Sequence, residues 1–133
     1  RLEEVVEPNP ADPNGSVTAP GNMVTSYIYS PKDELIQVNQ GDQMRKFAYD
    51  SLGRLVRQKL AEQAGTIEGQ WSDKFVYDNR SNLVERTDAR GVKTTFNYAN
   101  DPLNRLQSIS YDKSQSPIAG SIADAGAVTI GYT

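Results

Sequence analysis

The chain has no cysteine and no histidine. The first absence excludes disulfides and thiol nucleophiles, and the two together exclude a Cys/His zinc site. Without histidine there is also no imidazole base, and no side chain whose ordinary pKa falls in the neutral range. No apolar run approaches the ~18 residues that a membrane-crossing helix needs, and no membrane partner is expected. Positive charge is not in excess: 14 Lys and Arg stand against 17 Asp and Glu, a net charge of −3. That balance gives no electrostatic reason to bind nucleic acid, which is not expected as a partner either. Apolar residues are few: 37% of the 133 residues are hydrophobic, enough for one domain with a thin core. The first residues do not read as a signal peptide. The chain opens on Arg1 rather than Met, which reads as a piece of something longer.

What the chain does have is a recurring aromatic pattern. Phe47 to Leu55 reads FAYDSLGRL, Phe75 to Leu83 reads FVYDNRSNL, and Tyr27 to Leu35 reads YIYSPKDEL. Each copy carries a ring, any residue, a Tyr, and then a Leu six positions after that Tyr. A fourth copy runs from Tyr98 to Leu106, YANDPLNRL, with Asn100 in place of the second ring. Arg1-Leu2 reads as the end of an earlier copy, and Ile130-Gly131-Tyr132 as the start of a later one. Internal repetition of this kind signals an array. We expect one repeat domain over 1–133: an earlier copy's end plus a Pro/Asn/Gly-rich loop in 1–22, core repeats in 23–111, and a small-residue loop with the start of a further copy in 112–133.

The spacing specifies strands. Lys93 to Tyr98, KTTFNY, alternates, with Thr94, Phe96 and Tyr98 on one face. Tyr27/Tyr29, Phe47/Tyr49 and Phe75/Tyr77 keep the same period of two, the mark of half-buried strands. Stacked across strands, these rings are expected to supply most of the core. The tetrapeptide after each Tyr is expected to turn. Asp50-Ser51-Leu52-Gly53 has Asp first and Gly fourth, as a type I turn prefers. The fourth positions are Asp33, Gly53, Ser81 and Asn104, mostly types that tolerate positive φ, with Ser81 fitting least well. A type I turn followed by a left-handed residue makes a bulged hairpin. The Leu then restarts a strand, giving Leu35–Val38, Leu55–Leu60, Leu83–Thr87 and Leu106–Tyr111. A second turn, Asp88 to Gly91, leads into Val92–Tyr98. The fold class expected is all-β: an antiparallel meander of about ten short strands, as a curved open sheet or a segment of a β-shell. Ala61–Gly69 is expected as a loop or short helical turn, and Glu7–Asn22 and Lys113–Ala127 as connections.

Candidate sites are few. Asp50, Asp78 and Asp101 recur after the strand ends, where a carboxylate accepting its own turn's N–H groups is the expected role. A calcium loop needs several oxygens clustered closely, and no Asp-rich loop is present. Arg54 and Arg105 are expected to pair with a neighbouring repeat's acid or to face water. Glu3-Glu4 and Asp33-Glu34 are sequence neighbours, which on a strand puts them on opposite faces and makes them poor acid–base pairs. No nucleophile elbow, phosphate loop or zinc motif occurs. No catalytic residue, metal ligand or cofactor is therefore assigned. Trp71, the lone tryptophan, is the one speculative ligand-binding residue, as a ring able to stack on a sugar.

These copies, with the intervening TDARGVKTTFNY, resemble the YD-repeat, or Rhs-repeat, family over roughly Tyr27 to Tyr111. That family includes bacterial Rhs proteins, polymorphic toxins, shell subunits of insecticidal toxin complexes, and the teneurins. The resemblance implies long β-hairpin arrays coiled into a hollow shell, and in some members adhesion and carbohydrate binding. The repeat-motif residues it marks here as structural are Tyr27, Tyr29, Leu35, Phe47, Tyr49, Asp50, Gly53, Arg54, Leu55, Phe75, Tyr77, Asp78, Leu83, Gly91, Phe96, Tyr98, Asp101, Asn104, Arg105 and Leu106. The Tyr-Asp pair becomes Tyr29-Ser30 in one copy and Asn100-Asp101 in another. The Gly-Arg pair is kept only as Gly53-Arg54. Asp101-Pro102-Leu103-Asn104 lacks the Gly of the self-cleaving Asp-Pro-x-Gly signature found in closed-shell members. The implied role is a non-catalytic scaffold or encapsulating segment of a secreted or cell-surface protein. Its partners would be neighbouring repeats, with self-association through exposed edge strands. The alternative is an extracellular carbohydrate- or protein-binding adhesion module.

Overall fold

A computed structural model of the chain describes residues 1–11, 14–15, 21–63, 70–99 and 101–132. Its ten strands are all short and antiparallel to their ladder partners, as the two-residue ring spacing requires. They fall into two compact units, Arg1–Glu62 and Gln63–Thr133. The first holds β1 (Glu4–Glu7), β2 (Met23–Tyr29), β3 (Leu35–Gln40), β4 (Gln43–Tyr49) and β5 (Leu55–Lys59). Each pairs with the next in chain order. The second holds β6 (Asp73–Tyr77), β7 (Leu83–Thr87), β8 (Lys93–Asn97), β9 (Ser108–Asp112) and β10 (Val128–Thr129), again paired in chain order. The fold class is the all-β hairpin meander. Among the described residues the only helical turn is the 3-10 segment Ala119–Ser121, and none is long and apolar enough to cross a membrane.

The repeat hairpins share one construction. β2–β3, β4–β5 and β6–β7 each slip register at the second ring, between Ile28 and Tyr29, Ala48 and Tyr49, and Val76 and Tyr77. The slip is a β-bulge, set by a left-handed residue four positions on. Asp33, Gly53, Ser81 and Asn104 have φ of 63°, 75°, 66° and 57°. Ser81 thus adopts the bend despite being the least suited of the four. The β3–β4 connection is different: only Gly41-Asp42 separates the paired Gln40 and Gln43, and Gly41 sits at φ 55°. A two-residue hairpin with glycine first is a favoured geometry.

Three features of the structure depart from the sequence reading or go beyond it. The fourth copy does not fold like the others. Its ladder ends at Asn97 opposite Ser108, so Tyr98 and Leu106 lie in the connection and β9 begins after Leu106. In sequence this copy has Asn100 where the others have the second ring. Second, β1 was not marked by any ring pattern; it forms from Val5-Val6, two β-branched residues lying opposite Thr25 and Val24. Third, the rings are not a buried core. Tyr27, Tyr29, Phe47, Tyr49, Phe75, Tyr77 and Phe96 are all half-buried, and Val92 at 7% exposure is the only buried apolar residue among those described. Within each unit, among the described residues, a strand contacts no strand other than its ladder neighbours. Of the Ala61–Gly69 stretch, residues 64–69 lie outside the described residues, as do 12–13 and 16–20 of the first long connection.

Candidate functional site

The recurring polar groups gather at the hairpin turns. Asp50 Oδ1 accepts the N–H groups of Leu52 and Arg54, at 2.9 and 3.0 Å. Asp78 Oδ1 accepts those of Arg80 and Asn82, at 2.8 and 2.9 Å. Asp88 Oδ1 does the same for Arg90 and Val92, at 2.9 and 3.1 Å. In the first copy, the Ser30 hydroxyl replaces the carboxylate and accepts from Lys32 and Glu34. Asp101 accepts the Arg105 N–H at 2.6 Å. Each turn also closes through its backbone: Gly53 donates to Asp50, Ser81 to Asp78, Gly91 to Asp88 and Asn104 to Asp101.

The second carboxylate oxygen is engaged as well. Arg54 reaches Asp50 Oδ2 at 2.7 Å, Asn82 donates to Asp78 Oδ2 at 2.8 Å, and Arg90 pairs with Asp88 Oδ2. Arg105 Nη2 meets Asp101 Oδ1 at 2.9 Å. Arg54 and Arg105 each pair with the acid of their own turn, where a neighbouring repeat's acid or water was expected.

These contacts set the carboxyl groups' protonation. The Arg54 N–H holds Asp50 below the usual aspartate range, the Asn82 amide does so for Asp78, and the Arg105 guanidinium for Asp101. Burial alone would raise Asp88, but the Arg90 and Val92 donors outweigh it and the net direction is down. Burial, and then the Glu34 carboxylate, push the Tyr49 phenol above its ordinary value. Carboxylates held ionised by backbone donors and a cation are poor proton acceptors at neutral pH.

Two features had no signal in the repeat. Asp73 is fully buried, and its Oδ1 accepts both Arg86 Nε and Nη2, at 3.0 and 2.8 Å. Phe75 lies opposite Arg86 in the β6–β7 ladder, which brings the guanidinium beside the start of β6. Nothing in the local sequence marks that ion pair. The second is the docking of the 113–122 loop onto the Asp88–Gly91 turn. The buried Ser116 donates its hydroxyl to the Arg90 carbonyl. Gly91 has φ 78°, and a Cβ there would lie 3.1 Å from Ser116 Cα. Lys113 Nζ donates to the Ile122 carbonyl at 2.6 Å and pairs with Asp124 at 2.8 Å.

One open groove, of about 730 Å³, lies in the second unit beside Phe96 and Tyr98, with Asp78, Arg80, Asn97 and Asp101 among its lining. Trp71 is half-buried just before β6 and does not line this groove. Among the described residues no three acidic side chains cluster closely enough to hold a metal ion. The chain matches no protein-family model and no curated protein.

Proposed function

We propose that the chain is a non-catalytic structural segment of a YD- or Rhs-type repeat array, acting as scaffold or as part of an encapsulating wall in a secreted or cell-surface protein. The observation that supports this most is the repeated state of the turn carboxylates: in Asp50, Asp78 and Asp88 both oxygens are engaged by the turn itself or its own Arg or Asn. A group satisfied within its own turn shapes backbone and has little left for a substrate. Paired strands satisfy the backbone and half-buried rings tie neighbouring strands together, so the mechanism is mechanical. Drift at the repeat positions agrees with this, since Ser30 performs the capping done by Asp50. In this reading β1 and β10 offer strand edges for association with further repeats or a second copy. Light scattering on a size-exclusion column should show association that grows with concentration, and Thr129→Lys on β10 should weaken it. A monomer at every concentration, together with turnover in a hydrolase panel, would remove the proposal.

A second reading, an adhesion module for carbohydrate, is supported by the groove beside Phe96 and Tyr98. It combines rings with amide and carboxylate side chains, the pairing that sugar faces and hydroxyls require. A glycan array tests it: binding abolished by Tyr98→Ala, with Trp71→Ala unaffected, would favour this reading over the scaffold. No signal across a broad array would leave the scaffold alone.

A further inference from the structure

Each turn has a fourth residue, in the left-handed conformation, and a fifth, which precedes the Leu. The pairs are Asp33-Glu34, Gly53-Arg54, Ser81-Asn82 and Asn104-Arg105, and Arg1 holds the fifth position of the copy ending at Leu2. Within each unit, the fifth residue of one copy faces the fourth residue of the next. Arg1 bonds Asp33. Glu34 Oε1 lies 3.9 Å from the point where a Cβ on Gly53 would sit. Asn82 and Asn104 exchange two amide hydrogen bonds, at 3.0 and 2.8 Å. So a cation meets an anion, an amide meets an amide, and a carboxylate meets a residue with no side chain.

The Tyr of the following copy joins the same contact. The Tyr49 hydroxyl donates to the Leu35 carbonyl at 3.0 Å, and the Tyr132 hydroxyl donates to the Leu106 carbonyl at 2.6 Å. In both cases the acceptor is the Leu that ends the preceding copy. The guanidinium of Arg1 stands 5.3 Å over the Tyr29 ring, and that of Arg105 stands 4.1 Å over Tyr132, within cation–π range. The fifth residue therefore touches two features of its successor: the side chain at the fourth turn position and, when it is Arg, the ring.

We propose that these positions form a pairing code, in which the fifth turn residue of each hairpin selects the hairpin that follows it. The Tyr-to-Leu hydrogen bond is common to unlike copies and sets the register. The four-to-five contact differs from copy to copy and carries the choice. A neighbour with the wrong fourth residue places like charges together or leaves a polar group unpaired, and so discriminates by penalty as well as by attraction. A short connection such as Gly41-Asp42 already holds neighbouring strands in order, and the side-chain contacts add discrimination between copies. This inference rests on reading the chain as a repeat scaffold, and it names what that scaffold's hairpins recognise: one another.

The code predicts that chemistry can be transplanted. Asn82→Arg with Asn104→Asp recreates at the third and fourth copies the pair seen at Arg1 and Asp33. Asp tolerates the left-handed conformation there, as Asp33 does at φ 63°. Thermal unfolding of the whole chain should place the double variant about 3 °C or more above the sum of the two single effects. In 1 M salt that coupling should shrink, because the new pair is ionic. Asn82→Asp with Asn104→Asp should fall below the sum of its singles. Additive behaviour in both double variants overturns the code, as does a Arg/Asp double variant less stable than the sum. Where a single variant fails to fold, proton NMR of the unaltered chain decides. The Arg105 δ protons should be shifted upfield by the Tyr132 ring and return to ordinary positions in Tyr132→Leu; unshifted protons overturn the code. Because none of these readouts depends on association or turnover, a failed swap in a chain that still self-associates removes the code and leaves the scaffold reading standing.

Discussion

At the residue scale, stability is concentrated in a few unusual positions. Asp73 has no exposed surface and pairs with Arg86, whose side chain is 45% exposed. Removing one partner of a buried ion pair costs about 3–5 kcal/mol, and the half-exposed Arg86 moves the expectation to the low end. Asp73→Ala should therefore cost about 3 kcal/mol in a urea titration; a change below about 1 kcal/mol would mean the pair is not formed in solution. Ser81 is the reverse case. It holds φ 66° without being Gly, Asn or Asp, a conformation that costs most side chains about 1–2 kcal/mol. Ser81→Gly should raise stability by about 0.5 kcal/mol after the entropy of glycine is counted. At Gly91 the positive φ coincides with a backbone approach from Ser116. Gly91→Ala should cost about 2 kcal/mol and release the 113–122 loop, visible as faster amide exchange at Ser116.

At the element scale, the hairpins were legible because their signals are local. The ring spacing gave β2, β4, β6 and β8, and the Tyr-to-Leu interval gave the starts of β3, β5 and β7. The four left-handed positions followed from the same alignment. What was not legible depends on partners distant in sequence. β1 is a strand because β2 lies beside it, and the Asp73–Arg86 pair exists because the β6–β7 register brings the two together. The fourth copy shows the limit of alignment: DPLNRL still turns, but the ladder ends early. Half-burial of the rings was also not legible, since alternation reveals a covered face without revealing how well it is covered. Phe75→Ala should thus cost about 2 kcal/mol, against the 3–5 of a fully buried ring, as read from chemical unfolding. The turns add a pH dependence with a definite sign. Asp50, Asp78, Asp88 and Asp101 all have folded-state pKa values below the ordinary aspartate value. Their contribution is present above about pH 4, the unfolded value, and is lost as pH falls through the lower folded values. Urea midpoints should be flat from pH 7 to about 5 and drop below about 4. A midpoint that rises on acidification would contradict the turn contacts.

At the scale of the whole molecule, the absences and the repeat point the same way. With neither histidine nor cysteine, chemistry would fall to Asp, Glu, Lys, Tyr and Ser, and the recurrent Asp residues are engaged in shaping turns. The two units repeat one hairpin plan, in which each strand pairs with its neighbours in chain order. Such a plan extends by addition, which supports the proposed structural role in an array. The candidate groove was not indicated by the sequence, because its lining comes from residues spread between Asp78 and Asn104.

The recurrent Asp-led turns are what builds this molecule. Carboxyl carbon NMR of Asp50, Asp78, Asp88 and Asp101 from pH 7 to 2 reads those turns one by one. All four should titrate below the usual aspartate value of about 3.9, and the amides of Leu52, Arg54, Arg80, Asn82, Arg90, Val92 and Arg105 should shift in step with them. Ordinary titration of these groups, with those amides unmoved, would contradict it.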